Sequence, residues 1–384
     1  MTDPFGIYIH WPFCLSKCPY CDFNSHVAER IDQEGWRQAL LAELDRGAEQ
    51  AAGRTVTSIF FGGGTPSLMA PATTQSLIER IGFHWRLAPD VEITLEANPG
   101  TIDAARFADF RQAGINRLSM GLQALNDEDL RFLGRRHDSA QAICAVETAR
   151  RIFPRISFDL IYARPGQSLE DWRAELMRAV ALAADHLSLY QLTIEPGTAF
   201  HPMAARGDFI LPDDEQAAAL FELTQELTSA AGLPAYEISN HARPGAECRH
   251  NLLYWQGGDF LGIGPGAHGR LTDEQGVTRG HRRHRAPEIW RALVAEKGEG
   301  TAETTLLSRE DRIAELVMMG LRLSEGLSAE RFRRASGIAL RAALSPQGLQ
   351  EMLEQGWLRL QGERLQATAP GRLLLNRVIE RLLP

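Results

Sequence analysis

Three cysteines fall within eight residues, at Cys14, Cys18 and Cys21, in a C-x3-C-x2-C spacing. Thiolates are the natural ligands of iron–sulfur clusters. Three of them can hold three irons of a cubane and leave the fourth open to a small molecule. A structural zinc site usually needs a fourth Cys or His, and His10 and His26 are near enough in sequence to keep zinc as an alternative. Crowded thiols close disulfides with one another poorly, and in a reducing compartment they point to metal. Cys144 lies in an amphipathic helical pattern and is expected to be a buried thiol, and Cys248 is expected to be structural.

A second set of residues suits a small polar ligand. Phe60-Phe61-Gly62-Gly63-Gly64-Thr65-Pro66 closes a strand-like run. Glycines let the backbone approach a ligand closely, and Thr65 adds a hydroxyl. Glu96, Gln123, Arg135 and Asp159 follow at later strand ends or in the loops after them. A carboxylate accepts from a ribose hydroxyl or an ammonium, and an arginine pairs with a carboxylate. Taken singly, each reads as loop capping or a surface ion pair. Their recurrence at successive strand ends points to a ligand.

The elements that must position these residues alternate. Strand patterns at 6–10, 57–61, 91–95, 116–119, 156–160 and 186–190 are interleaved with helical patterns over 32–51, 71–85, 103–112, 126–133, 139–152 and 169–183. Strict β-then-α order implies a parallel sheet covered by helices. The fold class is therefore α/β, with a partial (β/α)6-type barrel over residues 1–200, and in such folds ligands gather at the C-terminal strand ends. Residues 201–300 read as a barrel extension and connecting segment, with a helix over 213–231 and a glycine-rich stretch over 257–269. Residues 301–384 read as a small helical domain of winged-helix type, with a strand pair at 358–360 and 364–367.

The chain has 384 residues, room for one large and one small domain, and its 44% hydrophobic and 23% charged content is that of a globular protein. A net charge of -8 argues against non-specific nucleic-acid binding. The basic run at 281–285 (His-Arg-Arg-His-Arg) reads as solvated surface. Neither a leader pattern nor a run of membrane-spanning length stands out, so a reducing cytoplasm is the expected location.

Longer motifs carry a resemblance. Tyr8–Cys14 (YIHWPFC), Cys18–Ser25 (CPYCDFNS), Phe61–Leu68 (FGGGTPSL), Glu96–Gly100, Gly114–Gln123 (GINRLSMGLQ), Leu133–His137 and Phe158–Gln167 (FDLIYARPGQ) resemble the HemN/HemW branch of the radical S-adenosylmethionine (SAM) superfamily. Tyr236–Asn240 (YEISN), His250–Trp255 (HNLLYW) and Gly262–Arg270 (GIGPGAHGR) extend the likeness towards the C-terminus, and the last domain resembles the HemN type. The resemblance implies a [4Fe–4S] cluster on Cys14, Cys18 and Cys21 whose open iron binds SAM. It further implies SAM contacts from Tyr8, Tyr20, Gly63, Gly64, Thr65, Glu96, Gln123, Arg135 and Asp159. No catalytic residue is assigned.

Two functions occur within the branch. One is oxygen-independent coproporphyrinogen III dehydrogenation, in which two propionates are decarboxylated. The other is heme chaperoning, in which heme is bound and passed to hemoproteins such as respiratory-chain components. The dehydrogenase type carries a further cysteine two residues after the third ligand, where this chain has Phe23, and a longer segment before the cysteines, where thirteen residues stand here. Both departures, with HNLLYW, favour the chaperone. Under that reading heme is a third ligand, with His250 as its contact through an imidazole and Tyr254 and Trp255 packing on the macrocycle. The implied partners are hemoprotein acceptors, some membrane-associated, an electron donor and a second copy of the chain. Many relatives have Gly-Leu where this chain has Ala163-Arg164, which would bring an extra charge near the site.

Overall fold

The computed structural model describes residues 4–101 and 103–383, so the first three residues, part of the stretch read above for a leader, lie outside the described residues. Eleven strands form one sheet: β1 (Phe5–Trp11), β2 (Thr55–Gly63), β3 (Arg86–Ala97), β4 (Arg117–Gln123), β5 (Arg155–Tyr162), β6 (His186–Gln191), β7 (Asn240–Ala242), β8 (Asp259–Ile263), β9 (His268–Thr272), β10 (Thr278–Arg283) and β11 (Thr301–Leu306). Strands β1 to β6 run parallel and in sequence order, each followed by helical crossover segments. Crossovers between parallel neighbours of this kind lay helices on the sheet. The strand β1 is almost entirely buried, as a parallel strand covered on both faces must be.

Side-chain caps fix where several crossover helices begin. Asp32, Asp103 and Asp213 accept from the backbone N–H three residues on, and Asp138 and Ser168 form capping boxes with Gln141 and Asp171.

The glycine-rich stretch at 257–269, within the segment read as a barrel extension and connection, supplies β8 and the start of β9. Strand β8 pairs in parallel with β1, on the side away from β2. Strands β9, β10 and β11 continue antiparallel outward, so the first strand of the chain lies inside the sheet. The sheet stays open: among the described residues its end strands, β11 and β7, do not pair, which agrees with a partial barrel.

Three expectations are corrected. The run at 281–285 is not wholly solvated: Arg283 is buried and donates to Gly262 O at 3.1 Å, and it pairs with Glu299 at 3.1 Å and Glu43 at 3.4 Å. The buried Glu43 carboxylate also accepts from Gly264 N, Gly300 N and Trp290 Nε1. A buried carboxylate needs such partners, and this one ties the helix Gln33–Gln50 to the antiparallel strands. Cys144 is exposed, because the buried stripe of the helix Ser139–Ile152 passes through Ala142, Ala145, Val146 and Ala149, leaving residue 144 on the far side. The charge of Arg164 does not reach the site: it is buried, pairing with Asp129 at 2.8 Å and with Glu175. Cys248 is buried, as expected of a structural thiol.

A second hydrophobic core joins the C-terminal helices, with Ile313, Val317, Phe332, Met352, Val378 and Leu382 at its centre. Beside it lies a three-stranded antiparallel sheet of Leu327–Ser328, Arg364–Ala367 and Leu358–Gln361 in that spatial order, consistent with a winged-helix type.

Ala163 holds φ at 56°, a left-handed conformation costing roughly 1–2 kcal/mol for a residue with a Cβ. Ala163→Gly should relieve that cost at some loss of chain entropy, raising stability by about 1 kcal/mol. The measurement is the denaturant midpoint, and a lowered midpoint would refute the expectation.

Candidate functional site

The cysteine loop leaves β1 and folds back over the end of β2. Gly64 N donates to Trp11 O at 2.7 Å and Thr65 N to Phe13 O at 2.8 Å. Residues Phe13–Cys14 pair with His26–Val27, which closes the loop on itself. This contact admits no side chains from the glycine run. A Cβ on Gly64 would stand 2.8 Å from Phe13 O, and one on Gly63, whose φ is +114°, would stand 2.8 Å from Trp11 O.

The three thiols are unbridged and neither fully buried nor fully exposed. Thr65 Oγ1 donates to Cys14 Sγ at 3.3 Å, and Arg135 Nη1 to Cys18 Sγ at 3.4 Å. All three line a cavity of about 600 Å³, together with Tyr20, Gly63, Gly64, Thr65, Glu96, Gln123, Arg135 and Asp159. Tyr8 faces the adjoining cavity instead, where its hydroxyl bonds His10 Nδ1 at 3.0 Å. His10 Nε2 lies 2.8 Å from Asn24 O. That nitrogen must carry the proton to donate, so Nδ1 accepts from Tyr8. Among the described residues no three His, Cys, Asp or Glu side chains gather round a point as a single metal ion requires. The three thiols line one cavity.

The electrostatics define what the cavity lacks. Burial pushes the Glu96 carboxyl up to about 8, with the neighbouring Asp159 adding to the rise and the Gly63 N–H opposing it. Asp159 is pushed up to about 6 by burial, against Ser188, Arg135 and Ser119. Asp159 Oδ1 and Arg135 Nε are buried without hydrogen-bond partners. Two carboxylates share the cavity with one guanidinium, which acts on Asp159 and is already engaged by Asn98, Gly121 O and Cys18. A ligand that brings positive charge, hydroxyl donors and a carboxylate would satisfy all three. SAM has those groups, so the residues fit it, and the three free thiols fit a [4Fe–4S] cluster.

Gln123 owes its aim to local backbone. It sits at φ 77°, just past a register shift between Gly121 and Gln123. Left-handed backbone on a bulky residue tends to gather at functional sites. Sequence reasoning passed over Asn98, which donates to Thr65 Oγ1 at 3.0 Å and holds Arg135; its signal was its place within Glu96–Gly100. It also passed over Ser119, Tyr190 and Ser239, which line the same cavity. His250 is buried with both ring nitrogens engaged, Nδ1 with Ser58 Oγ at 2.8 Å and Nε2 with Tyr254 OH at 2.7 Å. Neither nitrogen is open to iron in this arrangement.

An open parallel α/β sheet with three cysteines after its first strand, and ligand groups at the strand ends that follow, defines a radical SAM architecture. Residues 8–178 match the radical SAM superfamily and residues 307–374 the HemN C-terminal domain. The chain belongs to the HemN/HemW branch of that superfamily. It is 40% identical over 379 residues to the heme chaperone HemW of Escherichia coli, covering 98% of this chain and 97% of that protein. It is 37% identical over 387 residues to the mitochondrial radical S-adenosyl methionine domain-containing protein 1 of Mus musculus, covering 99% and 87%. Its fold matches that of the Escherichia coli coproporphyrinogen III oxidase HemN with a TM-score of 0.82 at 25% identity, covering 99% and 90%. Membership of the superfamily implies a [4Fe–4S] cluster and SAM.

Two predictions follow from the site. An acid whose folded pKa lies above its unfolded value takes up a proton on folding, so Glu96 makes stability fall as pH rises from about 4.5 to about 8. The Glu96→Gln protein should therefore show a flatter pH profile of denaturation midpoint across that window, and profiles of equal slope would contradict the assignment. Cys18→Ala should abolish the cluster's visible absorbance and iron content, whereas Cys144→Ala, on an exposed helix face, should leave both intact. Equal iron in the two variants would refute the ligand set.

Proposed function

We propose that this protein binds heme and delivers it to hemoproteins, with a [4Fe–4S] cluster on Cys14, Cys18 and Cys21 and SAM beside it. The observation that carries this reading is a second cavity, of about 850 Å³, adjoining the first: Phe23, Gly63, Glu96, Tyr190 and Ser239 line both. Its volume lies within the range of cofactor-sized sites, and Tyr254, Trp255 and Phe260 give it aromatic walls. Phe23, 58% exposed, stands where the dehydrogenase type has its extra cysteine. The full-length likeness to a heme chaperone supports the same reading.

In this scheme the backbone at Gly63 and Gly64, with Thr65, receives the amino end of SAM, and Arg135 its carboxylate. Glu96 and Asp159 face its hydroxyls and positive charge, Gln123 and Tyr20 shape the remaining walls, and Tyr8 stands in the adjoining cavity. The cluster with SAM, when bound, supplies one-electron reductive chemistry at the sulfonium. His250 acts as a positioning residue, holding the Tyr254 hydroxyl and stacking on Phe60 at 5.2 Å. The partners are heme, hemoprotein acceptors including membrane-associated ones, an electron donor and a second copy of the chain, in the cytoplasm. No described helix is long and apolar enough to cross a membrane.

The structural likeness to HemN favours a second reading, decarboxylation of coproporphyrinogen III. Anaerobic, cluster-loaded protein should bind heme saturably, with a developing Soret band, and should pass that heme to an apo-hemoprotein. It should form no protoporphyrinogen IX from coproporphyrinogen III with SAM and reductant. Product formation without heme transfer would reverse the order of the two readings.

A further inference from the structure

The second cavity contains two histidines, and they differ in one respect that matters for iron. His10 has both nitrogens engaged, by Tyr8 and Asn24. His268 is exposed, lines the cavity, and makes no side-chain hydrogen bond among the described residues. It opens β9, and Arg270 follows two residues on, so both side chains leave the same face of the sheet. Arg282 lies directly opposite His268 in the antiparallel register of β9 and β10, which puts its side chain on that face too. Arg285 follows just beyond β10 and lines the same cavity.

These guanidinium groups have donors to spare. Arg270 uses Nε on Glu315 and Nη1 on Gly269 O, leaving Nη2. Arg282 uses Nε and Nη2 on Glu303, leaving Nη1. Arg285 makes no ion pair among the described residues. Partial desolvation in the cavity lowers the His268 pKa, and the charges of Arg270, Arg282 and Arg285 lower it further, which favours the neutral imidazole, the form that binds metal. One face of the cavity thus joins an unengaged neutral imidazole to a row of carboxylate-binding cations, beside aromatic side chains.

We infer that His268 is the side chain that ligates the heme iron, and that Arg270, Arg282 and Arg285 bind the heme propionates. This rests on the heme reading above and assigns the contact to a different histidine from the one in HNLLYW. Imidazole is a common axial ligand of heme iron, and guanidinium binds carboxylate through paired hydrogen bonds.

The test is an anaerobic titration of the full-length, cluster-loaded chain with ferric heme and, separately, with metal-free protoporphyrin IX. His268→Ala should shift the Soret band and weaken heme binding about tenfold, and added imidazole should restore the band. Protoporphyrin IX, which has no iron, should bind wild type and His268→Ala alike. Arg285→Gln should weaken both ligands by about fivefold or more. A His268→Ala protein with the wild-type Soret band and affinity overturns the assignment and leaves the heme reading standing. A wild-type protein without saturable heme binding brings down that reading and this inference with it.

Discussion

The close approach of the cysteine loop to the end of β2 is the constraint on which the rest of the site depends. Two backbone hydrogen bonds, from Gly64 N and Thr65 N, hold the loop there, and a side chain at Gly63 or Gly64 would collide with it. The loop is held from its other side as well. Asn24 Nδ2 donates to Pro265 O at 2.9 Å, and a Cβ on Gly264 would stand 2.4 Å from His10 O. The cysteines therefore lie on a strap pressed between β2 and the β8–β9 turn. Because that strap also carries Phe23 and Asn24, the cavity it closes on one side and the cavity it opens on the other share a wall.

The cost of this arrangement is electrostatic. Parallel strand ends converge, so Glu96 and Asp159 are brought together in a buried space with one guanidinium near them. Desolvation outweighs what the Gly63 N–H returns to Glu96 and what Arg135, Ser119 and Ser188 return to Asp159, and both carboxyls are displaced upward. Such groups are poor contributors to stability and good receivers of a cationic ligand. Burial also pushes the Glu43 carboxyl up, but this fully buried group is met by two backbone N–H groups, an indole and Arg283. The contrast between a satisfied and an unsatisfied buried carboxylate separates structural from functional burial in this protein.

Much of this was legible in the sequence. Each parallel strand is a short apolar run closed by small or polar residues, and the polar residues at those ends, from Cys14 to Asp159, line one cavity. The antiparallel extension was not legible. Strand β10 reads Thr-Arg-Gly-His-Arg-Arg, with no apolar alternation, because its side chains pair with carboxylates, of which Glu43 alone is fully buried, rather than with a hydrophobic core. Arg283 looked like surface for the same reason, since its burial depends on Glu43, distant in sequence. Cys144 was misplaced by one helical step, as a stripe through Ala142, Ala145 and Val146 excludes its neighbour at 144. His250 was found by its motif, but its two hydrogen bonds depend on Ser58 and Tyr254, and the first of those is invisible without the fold.

That difference between the two histidines bears on how a chaperone can work. A protein that keeps heme should bury the axial ligand, and one that surrenders heme must let a competing ligand reach the iron. His250 is sealed under Tyr254 and Ser58, and freeing either nitrogen would strand a buried polar group, at a cost of about 1–3 kcal/mol. His268 is exposed, with Arg285 exposed and Arg270 and Arg282 half-buried beside it, so on the proposed assignment an acceptor's own histidine could approach the same iron. On the proposed assignment the macrocycle would rest against Trp255 and Phe260, with the propionates on the arginines. Exposure of the iron ligand permits exchange, and the aromatic wall holds the ligand until exchange occurs. Both features lie on β8, the antiparallel strands beyond it and the helix Arg249–Trp255, outside the six strands β1 to β6. The parts of the fold that handle the cluster and those that handle the cargo are thus built from different strands and meet at one shared wall.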